Sequence, residues 1–347
     1  MVHHYIRGTY YDLGFQIGGT HAELIRYLVR QYATYHAPLP KPSRCRQLDR
    51  AVAYLTEHFP WAVEELRGYG EGCGLGFDVL AFMLCFGFGR KKVLSEGCSN
   101  VAFANSDRGP LLAGNLDDPP WHHLVSFVPE DGYAATFVHL PMMPCAWGGM
   151  NERGLCVSGS SASLPSRYGK CAELSEHQIW TKYLKVRVLL HWAANVDEAL
   201  TLFRKYNFAG DGNLILLDAT GRGVVFEKTG NRELGLREMT DGWIACGNLF
   251  PSKVQDQDME ENNRYFAKAL SRYQALERAG KGPHTLDAAK AVLASHWGDP
   301  DELETVCNSN TSCSMICLPA ESKVLFTQRF PCQYPFVEYE VPHRSGS

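Results

Sequence analysis

The stretch GCSNVAFANSDRGPLLAGNLDD, Gly97 to Asp118, decides how this chain is read. Two β-prone runs, VAFAN (Val101 to Asn105) and LLAGN (Leu111 to Asn115), flank SDRGP (Ser106 to Pro110), whose turn residues make a hairpin connection. Gly97, Cys98, Ser99 and Asn100 stand just before the first run, and the second runs into Asn115-x-Asp117. In an antiparallel pair the end of the return strand lies beside the start of the first, so Asp117 is expected within reach of Cys98. A lone cysteine at the head of a strand is most often a small buried hydrophobe. An acidic residue brought back to it is what gives a chemical reading weight.

Upstream of this hairpin, apolar residues recur at helical spacing from Asp12 to about His36 and from Gln47 to Arg67, so the first quarter reads as mostly helical. GYGEGCGLGFD (Gly68 to Asp78) follows a helix rather than a strand and lacks GK[ST], which makes it a glycine-rich helix connection rather than a phosphate loop. Downstream, HLVSFV (His123 to Val128) and YAATFVHL (Tyr133 to Leu140) continue the strands, followed by a helical block from about Leu174 to Tyr206. Strands NLILLD (Asn213 to Asp218), GVVFEK (Gly223 to Lys228) and one around Trp243 to Cys246 precede helices across Glu260 to Arg278 and Thr285 to Ser295, and SMICLP and KVLFTQ close the chain as strands. Hairpins interrupted by paired helices predict an α+β protein with two antiparallel sheets covered by helical layers. With no repeat or flexible linker, one compact domain is expected.

Composition sets the outer bounds. The 347 residues carry 34 basic against 38 acidic side chains, are 45% hydrophobic and 21% charged, and have a formal charge of -4. These values exclude intrinsic disorder and give no basic footprint for nucleic acid, so a small ligand is expected. The longest apolar run, Val79 to Gly89, is 11 residues, well short of the ~20 that cross a bilayer, so no membrane partner is expected. The start, MVHHYIRGTYYDLGFQIG, shows no secretory signal, which leaves the cytoplasm as the expected location. Most of the twelve cysteines, scattered through a core-sized chain, are expected to be reduced and buried. The closest grouping, Cys307, Cys313 and Cys317, has no CxxC pair, and His296 lies 11 residues upstream, so neither a metal nor a cofactor is expected.

Taken in order, GCSNVAFA, GPLLAGNLDD, GMNERGLCVSG (Gly149 to Gly159), NLILLDATGRGVVFE, WIACGNLFPS and ENNRYFAKAL resemble the penicillin acyltransferase family of N-terminal nucleophile hydrolases, relatives of the choloylglycine and penicillin V acylases. The resemblance runs over most of the chain, including VRVLLHWAANVDEAL, and rests on the order and spacing of the motifs together. It implies a four-layer αββα sandwich and a precursor that cuts itself between Gly97 and Cys98. A 97-residue helical pro-segment or small subunit would then stay associated with a catalytic subunit, residues 98–347, the remaining 250. It implies further that Asp117 orients the new amino group, that Asn248 in ACGNLF helps form the oxyanion hole, and that Arg264 in NNRYFAKAL lies near the nucleophile.

The implied chemistry is physically coherent. Gly97 has no Cβ and tolerates both an unusual backbone conformation and close approach by a thiol. A freed α-amine has a reference pKa of about 7.7–8.0 and can serve as base for the thiol of its own residue, without a catalytic histidine. A thioester acyl-enzyme would form on Cys98 and be resolved by water or an amine. The expected activity is therefore that of an amidohydrolase or N-acyltransferase acting on a linear amide or acyl donor. Trp121 and Trp147 are candidates for an apolar acyl pocket. Two departures from the bile-acid-type relatives stand out: Gly114 replaces an arginine just before Asn-x-Asp, which removes a charged group from the pocket and makes bile salts and penicillin V doubtful substrates, and Ser161 falls where a second asparagine is placed. Asn151 and Glu152 are expected to make a structural turn. A binding or scaffold protein of the same fold without activity, and a conventional Cys/His thiol hydrolase, remain alternatives.

Overall fold

The computed structural model describes residues 3–36, 42–87, 97–162, 175–256, 263–296 and 306–344. The predicted hairpin is present as β2 (Ser99–Ser106) and β3 (Gly109–Asp117), antiparallel and in register from Ser99 opposite Asn115 to Phe103 opposite Leu111. Because side chains alternate across a strand, Val101, Phe103, Leu111 and Ala113 enter one core while Cys98, Ala102, Leu112 and Leu116 enter another. The hairpin is thus buried on both faces.

β11 (Trp243–Cys246) joins the β2 side, and β12 (Thr311–Leu318), β13 (Lys323–Gln328) and β14 (Val337–Glu340) extend the β3 side, giving a six-stranded antiparallel sheet. The second sheet has eight strands: β1 (His3–Gly8), β4 (His123–Pro129), β5 (Ala135–His139), β6 (Gly148–Asn151), β7 (Cys156–Ser161), β8 (Gly210–Leu217), β9 (Gly223–Gly230) and β10 (Arg232–Glu238). Its only parallel pair among the described strands is β1 with β4.

Three buried clusters define the layers. Between the sheets, Leu116, Leu124, Met150, Ile215, Met315 and Phe326 interdigitate. On the outer face of the six-stranded sheet lie α9 (Asn263–Gly280) and α10 (Leu286–Leu293). The outer face of the eight-stranded sheet is covered by α1 (Tyr10–Thr20), α2 (Ala22–His36), α3 (Pro42–His58), α4 (Pro60–Cys73), α5 (Phe77–Phe82), α6 (Glu176–Thr181), α7 (Lys185–Trp192) and α8 (Val196–Lys205). The chain is the expected αββα sandwich. No helix among the described residues is long and apolar enough to cross a membrane.

Two features of the helical layer depart from the sequence reading. The first quarter is not purely helical, since HHYIRG forms β1. The glycines of GYGEGCGLGFD belong mainly to α4, where they let it approach α1: a Cβ at Gly68 would overlap the Tyr11 carbonyl oxygen, and one at Gly14 the Glu65 carbonyl oxygen. Beneath this contact lies a sealed ion pair. Arg187 on α7 donates from Nη1 and Nη2 to Glu65 on α4, at 3.1 and 2.9 Å, with both side chains at 0% exposure. Tyr69 Oη donates to Glu65 at 2.9 Å and lies 2.5 Å from His139 Nε2, and the Arg187 guanidinium sits 4.4 Å over the Phe137 ring. Burial pushes the Glu65 carboxyl up while Arg187 pulls it back down.

Candidate active site

Cys98 is one residue ahead of β2, faces the space between the sheets and is only 7% exposed, yet it lines a cavity of about 760 Å³. Trp121, Trp147, Leu140, Met143 and Val186 supply apolar wall, and Asp117 and Asp118 line it as well. Burial and the charge of Asp117 push the Cys98 thiol up, while the Asp117 backbone N–H and the Trp147 side chain act in the opposite direction. In the intact chain the sulfur therefore holds its proton at neutral pH.

Gly97 has φ +123°, in the region favouring glycine, and a Cβ there would overlap both Asn248 Oδ1 and Arg272 Nη2. Glycine is required on two independent counts. Asn248 follows β11; its Nδ2 donates to the Ser161 carbonyl oxygen at 2.7 Å and its Oδ1 accepts from Arg272 Nη2 at 3.1 Å. The loop carrying it is held from the other sheet, because Asn213 Nδ2 on β8 donates to the carbonyls of Gly247 and Leu249, each at 2.8 Å.

Asp117 lies two residues past the Ser99–Asn115 pair, level with Gly97. It is fully buried, and its carboxylate accepts from Asn308 Nδ2 at 2.7 Å and Thr311 Oγ1 at 2.8 Å. Asn115, two residues earlier, donates to the carbonyls of Leu293 and Val306 at 2.9 and 3.1 Å and so fastens the segment that supplies Asn308. Beside Asp117, the Asp118 carboxyl is pushed up to about 7 by burial and by its neighbour's charge.

The chain matches the family described as acyl-coenzyme A:6-aminopenicillanic acid acyl-transferase over residues 105–293. It belongs to this acyl-transferase family. A curated relative, the beta-alanyl-dopamine/carcinine hydrolase of Drosophila melanogaster, is 26% identical over 238 residues, covering 60% of this chain and 57% of that protein. The chain therefore matches little more than half the length of that relative. Among solved structures, the N-acylethanolamine-hydrolyzing acid amidase ortholog of Caenorhabditis elegans has a TM-score of 0.44 at 17% identity, covering 64% of this chain and 93% of that one. The penicillin V acylase of Agrobacterium tumefaciens has a TM-score of 0.41 at 14% identity, over 67% and 83% of the two chains.

In this member of the acyl-transferase family, Asn248 packs against Gly97, Cys98 follows it and Asp117 acts on the Cys98 thiol, so the four come together, with Cys98 and Asp117 lining the cavity. The Arg264 side chain lies outside the described residues, and the arginine seen against Gly97 and Asn248 is Arg272, two helical turns on and 4% exposed. A signal for it was present: Ala269, Arg272, Tyr273 and Leu276 form an i, i+3, i+4, i+7 stripe on α9 with an arginine inside it. Gly114 is explained locally, since a Cβ there would overlap Asn100 Oδ1, which accepts from Ser158 Oγ at 2.7 Å between the sheets. Ser161 lines the cavity and meets Asn248, and Trp121 and Trp147 are both on the wall. Asn151 braces the turn after β6, donating to the Leu190 and Ala193 carbonyls and accepting from the Arg153 and Leu155 N–H groups. Of the grouped cysteines, Cys313 and Cys317 point into the inter-sheet core, whereas Cys307 Sγ lies 3.4 Å from Cys332 Sγ, itself 2.9 Å from His296 Nε2. The fold closes the distance that kept His296 from Cys307 in the sequence.

Proposed function

We propose that this chain is a self-processing cysteine N-terminal nucleophile enzyme that hydrolyses or transfers the acyl group of a linear small-molecule amide. The observation carrying the reading is the meeting of the Cys98 thiol with a Gly97 that has no room for a side chain, beside Asn248 and Asp117 on a largely apolar cavity. The Cys98 sulfur attacks the Gly97 carbonyl carbon, the C–N bond breaks with its nitrogen taking up the thiol proton, and water hydrolyses the resulting thioester. Residues 1–97 end in a carboxylate, and residues 98–347 begin with an amine held near Asp117. The two pieces stay together through the core that α1 to α5 share with the eight-stranded sheet.

In turnover, the Cys98 α-amine accepts the thiol proton, the thiolate attacks the substrate carbonyl, and the departing amine receives that proton. Asn248 Nδ2 is the side-chain donor for the transient oxyanion, and Arg272 fixes the orientation of that amide by occupying Oδ1. Water or a second amine then releases the acyl group. The apolar wall built from Trp121, Trp147 and Leu140 suits an acyl chain or aromatic amine, and the fly relative, named a beta-alanyl-dopamine/carcinine hydrolase, supports a small-molecule amide as substrate. We place the enzyme in the cytoplasm, where the ten described free cysteines stay reduced.

Intact-mass analysis of the purified protein, with N-terminal sequencing of any large fragment, tests the proposal. Two polypeptides are expected, the larger beginning at Cys98, and neither should appear in Cys98→Ala. An active chain that remains whole on long incubation would overturn it. A Cys/His hydrolase would draw on His122, the histidine on the cavity wall, which burial pushes down to about 4. Self-cleavage surviving in His122→Ala would set that reading aside.

A further inference from the structure

The reaction uses no histidine, yet three of them converge outside the cavity. His4 on β1, His21 at the C-terminal cap of α1 and His123 on β4 bring one ring nitrogen each to within 4.8 Å of the others. His4 Nε2 and His21 Nε2 are 2.9 Å apart, and the ring centroids are separated by 5.1 Å (His4–His21), 4.9 Å (His4–His123) and 4.4 Å (His21–His123). His4 and His123 share the helix-facing side of the eight-stranded sheet with Ile6 and Val125, and the α1–α2 junction lays His21 over them.

His123 is the decisive member. It is 2% exposed, and among the described residues neither of its ring nitrogens has a hydrogen-bond partner. A neutral imidazole carries one donor and one acceptor, and buried polar groups of this kind are nearly always satisfied. A hydrogen bond between His4 and His21 accounts for those two rings without an ion; nothing comparable accounts for His123. It is the uncharged imidazole that ligates metals.

We propose that His4, His21 and His123 form a three-histidine site for a divalent transition-metal ion of the zinc type, with a fourth position open to water on the side of the half-exposed His4 and His21. Three imidazole nitrogens favour such borderline ions over magnesium or calcium, which take oxygen ligands. With Zn–N bonds of about 2.0–2.1 Å, tetrahedral ligand nitrogens sit roughly 3.3 Å apart, so His4 and His21 need open by only a few tenths of an ångström. The ion would bridge the chain on both sides of Cys98: two ligands precede it and one follows. Whether or not the chain is cut, the site clamps β1 and the first helices to β4.

The test is titration of chelator-treated, dialysed full-length protein with Co²⁺ and Zn²⁺, following the visible d–d bands of Co²⁺ and metal content by mass spectrometry. One equivalent is expected, with tetrahedral d–d bands and no sulfur-to-cobalt charge-transfer band. His4→Ala and His21→Ala, at half-exposed positions, are expected to weaken binding by more than the ~10–100-fold typical of outer-shell changes; His123→Ala should do the same if it folds. Cys332→Ser, which alters the separate His296, Cys307 and Cys332 group, should leave that equivalent in place. Absence of stoichiometric uptake by the wild type, undiminished affinity in both His4→Ala and His21→Ala, or a sulfur-to-cobalt band that vanishes in Cys332→Ser would each overturn the proposal.

Discussion

Glu65 and Asp117 are both carboxylates with no solvent exposure, and the protein treats them in opposite ways. Glu65 faces Arg187 through two hydrogen bonds in the helical layer, and the charge of each is answered by the other. Asp117 accepts from two neutral side chains, Asn308 and Thr311, and sits where its field reaches the Cys98 thiol and Asp118. The first arrangement joins α4 to α7. The second leaves a negative potential beside the sulfur, where an ammonium group would be welcome. Burial alone therefore does not tell the two carboxylates apart; the groups each charge reaches do.

Substitutions can break or sharpen this contrast. The largest effect is expected from Cys98→Ala, which should abolish both self-cleavage and turnover, read by intact mass and by release of amine from a model amide. Arg187→Met strands a buried charge on Glu65 and is expected to destabilise the fold by about 3–5 kcal/mol in urea unfolding, while cleavage at Gly97 persists in whatever protein folds. Asn248→Ala is expected to reduce kcat by ~10²–10³-fold and, by removing the buried hydrogen bonds to Arg272 and the Ser161 carbonyl, to cost about 1–3 kcal/mol of stability. Asp117→Asn keeps the shape and removes the charge, so slower self-cleavage on a gel time course is expected; if Glu65→Gln slowed it equally, the division between the two carboxylates would fail. Asp118 gives the smallest effect. With its carboxyl raised from 3.8 to about 7, the folded state keeps a proton that the unfolded chain has shed, so this group lowers stability as pH rises between those values. Asp118→Asn should flatten that part of the dependence of the urea midpoint on pH.

The hairpin, the two sheets and the outer helices were legible because period and turn chemistry are local properties. The partners of Asp117 were not, since Asn308 and Thr311 lie 191 and 194 residues away and nothing near them in sequence points to a carboxylate. β1 escaped notice because only Ile6 in it is buried and its parallel partner is β4, beyond all the early helices. Singling out Arg272 requires knowing which face of α9 meets the sheet, and the apolar stripe around it holds that information. His4, His21 and His123 come from three elements, so only the folded chain assembles them.

Strand β2 is hydrogen-bonded on both flanks from its outset, with Ser99 opposite Asn115 and Asn100 opposite both Gly114 and Cys246. Chain ends ordinarily fray. An end made at Cys98 would instead emerge already moored between two neighbours, with a single residue of slack. The reactive group would be held in place by a ladder that existed before the cut, and no refolding would have to intervene between maturation and the first turnover.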